Sequence, residues 1–216
     1  MRLVLVRHGE TEHNRGRVTL GRADVPLNEL GRRQAEAVAA AVARYAPDAV
    51  YSSPLARALD TARAVGAACG CEVLVEPALI EMDVGELEHL TGPELRERHP
   101  DFLRLWLGED GAEARMPGGE SLREVQERAG AAVERIAAAH ADATVAVVTH
   151  NFVILSLLCR ALDLPLSRFR RLRHEVAAVS VVDMRGPAPA LILLNDRSHL
   201  AAAGLLGEAA EGEARA

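Results

Sequence analysis

Side chains that could bind an anion stand at the ends of three predicted strands. Arg7 and His8 directly follow the first apolar run of the chain, and Arg57 comes shortly after the second. His150 directly follows a β-branched run further along. The carboxyl ends of parallel strands meet at one edge of a sheet, next to the N-termini of the following helices. This arrangement predicts a site for phosphate or a similar anion.

The basic residues restrict the chemistry that such a site can use. All 25 Lys and Arg positions are arginine, and the chain contains no lysine. This excludes a phosphate-binding loop that depends on lysine, and it excludes Schiff-base catalysis. A net charge of -6 and only 3% aromatic residues argue against nucleic-acid binding. A phosphate site in this chain must use arginine, histidine and backbone N–H groups.

The elements that position these side chains follow an alternating pattern of apolar runs and helical periodicity. It predicts an α/β three-layer sandwich with a mostly parallel central sheet and helices on both faces. With 216 residues that are 49% hydrophobic, we expect a single domain over 1–216. Strands are predicted at 3–6, 49–52, 73–75, 144–149, 176–182 and 191–195. Helices are predicted at 27–45, with Asn28 as the N-cap, and from Ser53-Pro54 to about 69. Further helices are predicted from a capping box at Ser121–Glu124 to about 140, and at 152–162.

Two segments differ from this alternation. Residues 82–116 are charged and interrupted by prolines, which predicts a helical lid insertion. Residues 201–216 are rich in Ala, Gly and Glu, which predicts a flexible tail.

Three cysteines do not make a disulfide framework, and no spacing typical of metal ligands is present, so we expect no metal and no cofactor. No apolar run suggests a membrane span or signal peptide, so we expect a cytoplasmic protein.

The motifs themselves resemble a known family. Residues 5–11, Leu-Val-Arg-His-Gly-Glu-Thr, resemble the first signature of the histidine phosphatase superfamily, the phosphoglycerate-mutase-like proteins. Later segments are similar to its other motifs in order: 52–58, 79–86, 117–121 and 148–150. Asn195-Asp196 and His199-Leu200 resemble the end of the phosphatase branch. The resemblance covers residues 3–200.

This resemblance implies a role for each site residue. His8 would attack phosphorus and become a phosphohistidine, and Glu81 would protonate the leaving alkoxide and later activate water. Arg7, Arg57 and His150 would hold the equatorial phosphoryl oxygens, whose charge must be matched in the transition state. The residues implied to bind the substrate are Glu10, Thr11, Asn14, Leu20, Gly21 and Asn151.

A few positions depart from the family pattern. His13 replaces a frequent tryptophan, His89 a frequent glycine, and Asn151 the glycine that often follows the late histidine. Leu20 replaces a polar residue, which removes a side-chain contact near the phosphate but leaves the backbone of Gly21 available. Near the predicted lid, Leu87 also stands where tryptophan is frequent. Because Leu87 and His89 would face the leaving group, substrate specificity is the property that transfers least well from the family.

We therefore expect a metal-independent phosphomonoester hydrolase that acts through a phosphohistidine on small phosphorylated metabolites. One alternative is a cofactor-dependent phosphoglycerate mutase, which is less favoured because residues 86–100 contain no tyrosine. A non-catalytic phosphate-binding module is the other. The expected partner is a small-molecule phosphomonoester, with no nucleic acid and no membrane, and with homodimer formation left open.

Overall fold

A computed structural model describes residues 1–207 of the chain. Its strands are β1 Arg2–Arg7, β2 Ala49–Ser52, β3 Val73–Val75, β4 Thr144–Thr149, β5 Val179–Asp183 and β6 Ala190–Asp196. Its α-helices are α1 Glu12–Gly16, α2 Glu29–Ala43, α3 Ala56–Cys69, α4 Gly92–Arg98, α5 Pro100–Leu107, α6 Leu122–Ala139, α7 Asn151–Ala161 and α8 Ser198–Ala203. Short 3₁₀ turns occupy Pro77–Leu79, Gly85–Leu87 and Leu166–Arg171. Within residues 1–207, every helix is too short or too polar to cross a membrane.

The six strands form one mixed sheet in the order β3-β2-β4-β1-β5-β6. The four strands β3, β2, β4 and β1 are parallel, whereas β5 runs antiparallel to both β1 and β6. In this register Arg7 lies beside Thr149, and Ser52 lies beside Val148. The ends of β1, β2 and β4 therefore meet at one edge of the sheet. The predicted α/β fold with a mostly parallel sheet is confirmed.

Both faces of the sheet are covered, which explains why β1 is apolar throughout rather than alternating. Leu3 and Leu5 pack into a core shared with α6 and α7, while Val4 and Val6 pack into a core shared with α2, α3 and α8. Burying each such side chain contributes about 1.5–3 kcal/mol to stability. The strand that carries the candidate nucleophile is thus anchored from both sides.

Helix starts agree with the sequence in two cases and differ in one. The Asn28 side chain accepts the Gly31 N–H at 2.8 Å at the start of α2, and Ser121 forms the predicted capping box of α6. The prediction that Ser53-Pro54 opens α3 is wrong, because the helix begins at Ala56. The Ala56 N–H is bound at 2.7 Å by the carboxylate of Asp24, so a distant loop provides this cap.

Within residues 82–116, a 3₁₀ turn and the short helices α4 and α5 form the segment that was predicted as a lid. It is anchored by the only tryptophan of the chain, Trp106, which is buried. The Trp106 ring lies edge-on to Phe152 at 5.9 Å and is tilted against Phe169 at 5.4 Å. These aromatic contacts attach the segment to α7 and to the turn that follows it.

The predicted flexible tail starts too early. Residues 201–203 belong to α8, and Leu205 is buried in the core beside α2. The Leu205 carbonyl also accepts a hydrogen bond from the Gln34 side chain at 3.0 Å. Burial of Leu205 thus continues the ordered fold beyond residue 201, and positions 208–216 lie outside the described residues.

Candidate active site

His8 is buried at the end of β1 and is held in one tautomer. Its Nδ1 lies 2.7 Å from the carbonyl oxygen of Gly9. Because a carbonyl only accepts hydrogen bonds, Nδ1 carries the proton and Nε2 keeps its lone pair. Burial and the charges of Arg57 and Arg7 hold the pKa of His8 well below its usual value. The ring is therefore neutral at neutral pH and has a free nucleophilic nitrogen.

The loop after His8 lies so close to α2 that its first residue, Gly9, has no room for a side chain. A Cβ on Gly9 would lie 2.4 Å from the carbonyl oxygen of Gly31. The Gly9 N–H donates to the Thr61 hydroxyl at 3.1 Å, which ties the loop to α3. Glycine at this position thus lets the nucleophile sit against two helices.

Two buried arginines lie next to His8, and neither forms a direct ion pair with a carboxylate of the described residues. Arg7 donates to the His174 carbonyl at 2.7 Å and to the Asn151 side-chain oxygen at 3.3 Å. Arg57 is held by backbone carbonyl groups alone, and its pKa is lowered to about 10 by burial, so it remains charged. Within residues 1–207, the Nε of each is buried without a hydrogen-bond partner. Buried positive charge without a direct ion pair favours an anionic ligand.

His150 lies at the start of α7, next to the other histidine, and burial and the charge of Arg57 hold its pKa well below the usual value, so its ring is neutral. Its ring centroid lies 5.1 Å from that of His8, and its Nε2 lies 2.7 Å from Ser53 Oγ. Ser53 Oγ already accepts the Leu55 N–H at 3.3 Å, so its hydroxyl proton can be donated to His150. In the tautomer in which Ser53 donates to Nε2, the proton lies on Nδ1 of His150, which has no partner among the described residues. Such an N–H is a suitable donor to a phosphoryl oxygen.

Glu81 has the properties of an acid catalyst. Its carboxyl group is buried and accepts N–H groups from Met82 at 2.8 Å and from Phe152 at 3.3 Å. Burial raises the pKa of Glu81, although these hydrogen bonds and the two arginines oppose the shift. A carboxyl group with a raised pKa can hold its proton until a leaving group needs it.

These groups adjoin a cavity of about 310 Å³. Six residues from the sequence prediction line it: Arg7, His8, Asn14, Leu20, Glu81 and Asn151. Arg57 and His150 do not line it, and both are fully buried beside His8. Among residues 1–207, no three His, Cys, Asp or Glu side chains are grouped so that they could hold a metal ion. Because Arg7 and His8 line the cavity, its end beside His8 is suited to bind an anion.

The structure gives Glu10 and Thr11 structural roles instead of the substrate contacts expected from the family. Both are buried, and neither lines the cavity. Glu10 accepts hydrogen bonds from the Asn28 side chain at 2.8 Å and from Arg15 at 3.3 Å. Thr11 is the N-cap of α1 and forms a capping box with Asn14. Their polar groups are used in holding α1 and α2 next to the nucleophile loop.

The expectation that the Gly21 backbone is available to a substrate is also wrong. The Gly21 N–H donates to the carboxylate of Glu88 at 2.7 Å, and its carbonyl accepts from Arg57. Gly21 does not line the cavity, whereas its neighbour Leu20 does. The contact involves residues 67 positions apart, which no local sequence pattern reveals.

Some cavity residues were not identified from the sequence. These are His13, Arg17, Val18, Thr19, Trp106, Phe152, Leu155, Phe169, Arg170, Leu172, Arg173, His174 and Glu175. Burial and Arg7 lower the pKa of His174 to about 3, so this histidine is neutral. Arg170 stacks on Phe169 at 4.4 Å and on Trp106 at 4.9 Å. The run of arginines at 168–173 in an acidic chain was the one signal in the sequence for this wall.

Two of the positions that depart from the family pattern, His13 and His89, contact each other. His13 Nε2 and His89 Nδ1 lie 2.8 Å apart in an exposed pair beside the cavity. His89 has a φ of 66°, a left-handed conformation that favours glycine. Glycine would adopt this conformation without strain, whereas the histidine present here gains the contact with His13.

The sequence as a whole matches known proteins in agreement with this geometry. Residues 3–197 match the profile of the histidine phosphatase superfamily (branch 1). Phosphoserine phosphatase 1 of Hydrogenobacter thermophilus is 34% identical over 200 residues, which cover 93% of this chain and 94% of that protein. A bifunctional protein of Mycobacterium tuberculosis is 39% identical over 201 residues, covering 92% of this chain. This chain spans only 55% of that protein, about half of its length.

The fold is also similar to solved structures. The native structure of a mycobacterial glucosyl-3-phosphoglycerate phosphatase superposes with a TM-score of 0.81 at 30% sequence identity. The match covers 90% of this chain and 98% of the solved chain. Similarity in sequence and in fold thus extends over nearly the whole of the described structure.

Proposed function

Because this chain belongs to the histidine phosphatase superfamily, we propose that it hydrolyses small phosphomonoesters, with His8 as the carrier of the phosphoryl group. The observation that carries the proposal is the state of His8. It is a neutral imidazole with a free Nε2, next to two buried arginines that form no direct ion pair within residues 1–207. The names of two similar proteins, a phosphoserine phosphatase and a glucosyl-3-phosphoglycerate phosphatase, support hydrolysis as the reaction.

In the first step the substrate phosphate binds beside His8, where Arg7 and Arg57 supply positive charge to its oxygens and His150 donates an N–H. The lone pair of His8 Nε2 forms a bond to phosphorus while the bond from phosphorus to the ester oxygen breaks. The leaving oxygen takes the bonding electrons and receives the proton of Glu81. The products are an alcohol, a carboxylate at Glu81 and a phosphohistidine whose Nδ1–H still donates to Gly9.

In the second step water takes the place of the alcohol. The Glu81 carboxylate removes a proton from the water molecule while the water oxygen attacks phosphorus. The bond between phosphorus and His8 Nε2 breaks at the same time. The electron pair returns to Nε2, which restores the neutral imidazole, and inorganic phosphate leaves. The two arginines supply the positive charge that the transferred group requires, so the proposed reaction needs no metal ion.

The experiment is hydrolysis of p-nitrophenyl phosphate in the presence of EDTA, compared between wild type and His8→Ala. We expect wild type to release phosphate and to trap a phosphohistidine on rapid acid-free quenching, and His8→Ala to do neither. His99→Ala is the matched control, since His99 does not line the cavity. Absence of hydrolysis by wild type across the mildly acidic to neutral range would refute the proposal.

Two other functions predict different results in the same assay. A mutase would transfer the phosphoryl group between positions of a phosphoglycerate and release little phosphate. A binding module would bind phosphate with no turnover, and His8→Ala would retain that binding. A mutase is expected to have a tyrosine after the motif at 79–86. Residues 86–100 contain no tyrosine, which favours hydrolysis.

A further inference from the structure

One carboxylate accepts three consecutive backbone N–H groups beside the candidate site. Glu88 Oε1 accepts the Gly21 N–H at 2.7 Å. Its Oε2 accepts the N–H groups of Arg22 at 2.9 Å and Ala23 at 3.2 Å. Hydrogen bonds to an ionised acceptor are stronger than neutral ones, so Glu88 determines the orientation of these three peptide groups.

The opposite side of the same loop holds Arg57. The carbonyl of Gly21 accepts Arg57 Nη2 at 2.7 Å, and the carbonyl of Ala23 accepts Arg57 Nη1 at 2.8 Å. The next residue, Asp24, caps α3 at Ala56, directly before Arg57. The loop at 21–23 thus lies between the Glu88 carboxylate and the Arg57 guanidinium group.

This arrangement orients a cation without neutralising it. Arg57 has no direct ion pair within the described chain, and its guanidinium hydrogen bonds go to the two loop carbonyls. A carboxylate in direct contact would compete with a phosphate for the same N–H groups. By acting through the peptide groups, Glu88 can hold Arg57 in place and leave its charge for the ligand.

We propose that Glu88 is a positioning residue for Arg57, which it orients through the loop at 21–23 for contact with the phosphoryl group. The inference rests on the proposed function, which gives Arg57 its role as a phosphate ligand. It also connects the segment predicted as a lid to the site. Glu88 follows the 3₁₀ turn at Gly85–Leu87, and the next residue, His89, donates its N–H to the Thr19 carbonyl at 3.0 Å.

The test is Glu88→Gln, in which an amide NH₂ replaces one acceptor oxygen and faces backbone N–H groups. Glu94→Gln is the matched control, because the Glu94 carboxylate also accepts a backbone N–H, that of Thr91 at 2.8 Å, in the same segment but away from the loop. We expect Glu88→Gln to lower kcat/KM for p-nitrophenyl phosphate about 10- to 100-fold, mainly through kcat. Glu94→Gln should stay within about twofold of wild type.

A double-mutant comparison separates positioning from a general loss of structure. In the Arg57→Ala background, Glu88→Gln should reduce the residual kcat/KM by less than about twofold, since its effect passes through Arg57. An equal reduction in both backgrounds, or a loss no larger than that of Glu94→Gln, would overturn the inference. If Glu88→Gln does not fold, Glu88→Asp, which keeps the charge, replaces it in both backgrounds. We then expect a smaller loss of kcat/KM in the wild-type background and none in the Arg57→Ala background.

Binding of orthovanadate, measured by calorimetry, distinguishes failure of the inference from failure of the proposed function. If wild type does not hydrolyse esters but binds vanadate more tightly than Glu88→Gln does, the proposed function fails and the positioning role stands. If wild type hydrolyses esters and Glu88→Gln matches wild type in rate and in vanadate affinity, the positioning role fails and the proposed function stands.

Discussion

Replacing Glu81 by glutamine should separate acid catalysis from binding, because the leaving group decides whether a proton is needed. Glutamine is close in shape, and its side-chain oxygen can still accept the Met82 N–H that Glu81 accepts at 2.8 Å. The longer contact at 3.3 Å with the Phe152 N–H would be lost. The variant therefore keeps most of the local structure and loses the transferable proton.

Losing the Phe152 hydrogen bond and losing the proton of Glu81 should lower the rate by different factors. Loss of the longer hydrogen bond costs about 1 kcal/mol, roughly fivefold in rate, for any substrate. Loss of general acid catalysis costs about 10²- to 10⁴-fold, but only where the leaving oxygen is strongly basic. An alkyl phosphate needs the proton, whereas p-nitrophenolate leaves without one. We expect kcat/KM to fall by the full factor for glycerol phosphate and by less than about tenfold for p-nitrophenyl phosphate.

The assay measures kcat/KM for both substrates over a range of pH. In wild type, the rate for the alkyl substrate should fall as pH rises through the raised pKa of Glu81, because the acid must be protonated to act. That dependence should disappear in Glu81→Gln. Asp83→Asn is the control, since Asp83 is a nearby carboxylate that does not line the cavity. Equal losses for the two substrates would show that Glu81 does not act as the general acid.

Further predictions concern stability. Gly9→Ala places a Cβ 2.4 Å from the Gly31 carbonyl oxygen, so it should lower the free energy of unfolding by about 1–3 kcal/mol in urea titrations, whereas Gly16→Ala, whose Cβ would meet its nearest neighbour at 3.4 Å, should not. His174 has a pKa lowered to about 3, so the unfolded chain takes up its proton first as the pH falls. Wild type should therefore lose stability below about pH 6.5 more steeply than His174→Gln, and identical slopes would contradict the burial of a neutral ring.

Much of the fold and the central chemistry could be predicted from the sequence. The apolar run before Arg7, the capping box at Ser121 and the Asn28 cap are local patterns, and the structure contains each of them. The start of α3 was predicted wrongly because its cap comes from Asp24, which lies 32 positions before Ala56. Local patterns predict elements well when the stabilising contact is also local.

In the site, too, local patterns predicted some residues, and others were recognisable only in the folded structure. His8, Arg7, Arg57 and Glu81 stand at strand ends or in ordered motifs, so residue type and position were enough to propose them as site residues. His174 belongs to no such pattern, and its neutral state results from burial beside Arg7 in the folded chain. Arg170 and Trp106 form one wall of the cavity although 64 positions separate them. Such groups become recognisable only when packing brings them together.

By itself, the sequence determined which chemical groups this protein can use and which strand ends present them. It excluded lysine chemistry and located His8 at the end of a buried strand. Tertiary structure decided which of those groups are free to react. The Gly9 carbonyl selects the tautomer of His8, burial keeps its ring neutral, and Glu88 occupies the Gly21 N–H that the sequence left open. The physical reason is that protonation and hydrogen-bond availability depend on desolvation and on partners distant along the chain, which exist only after folding.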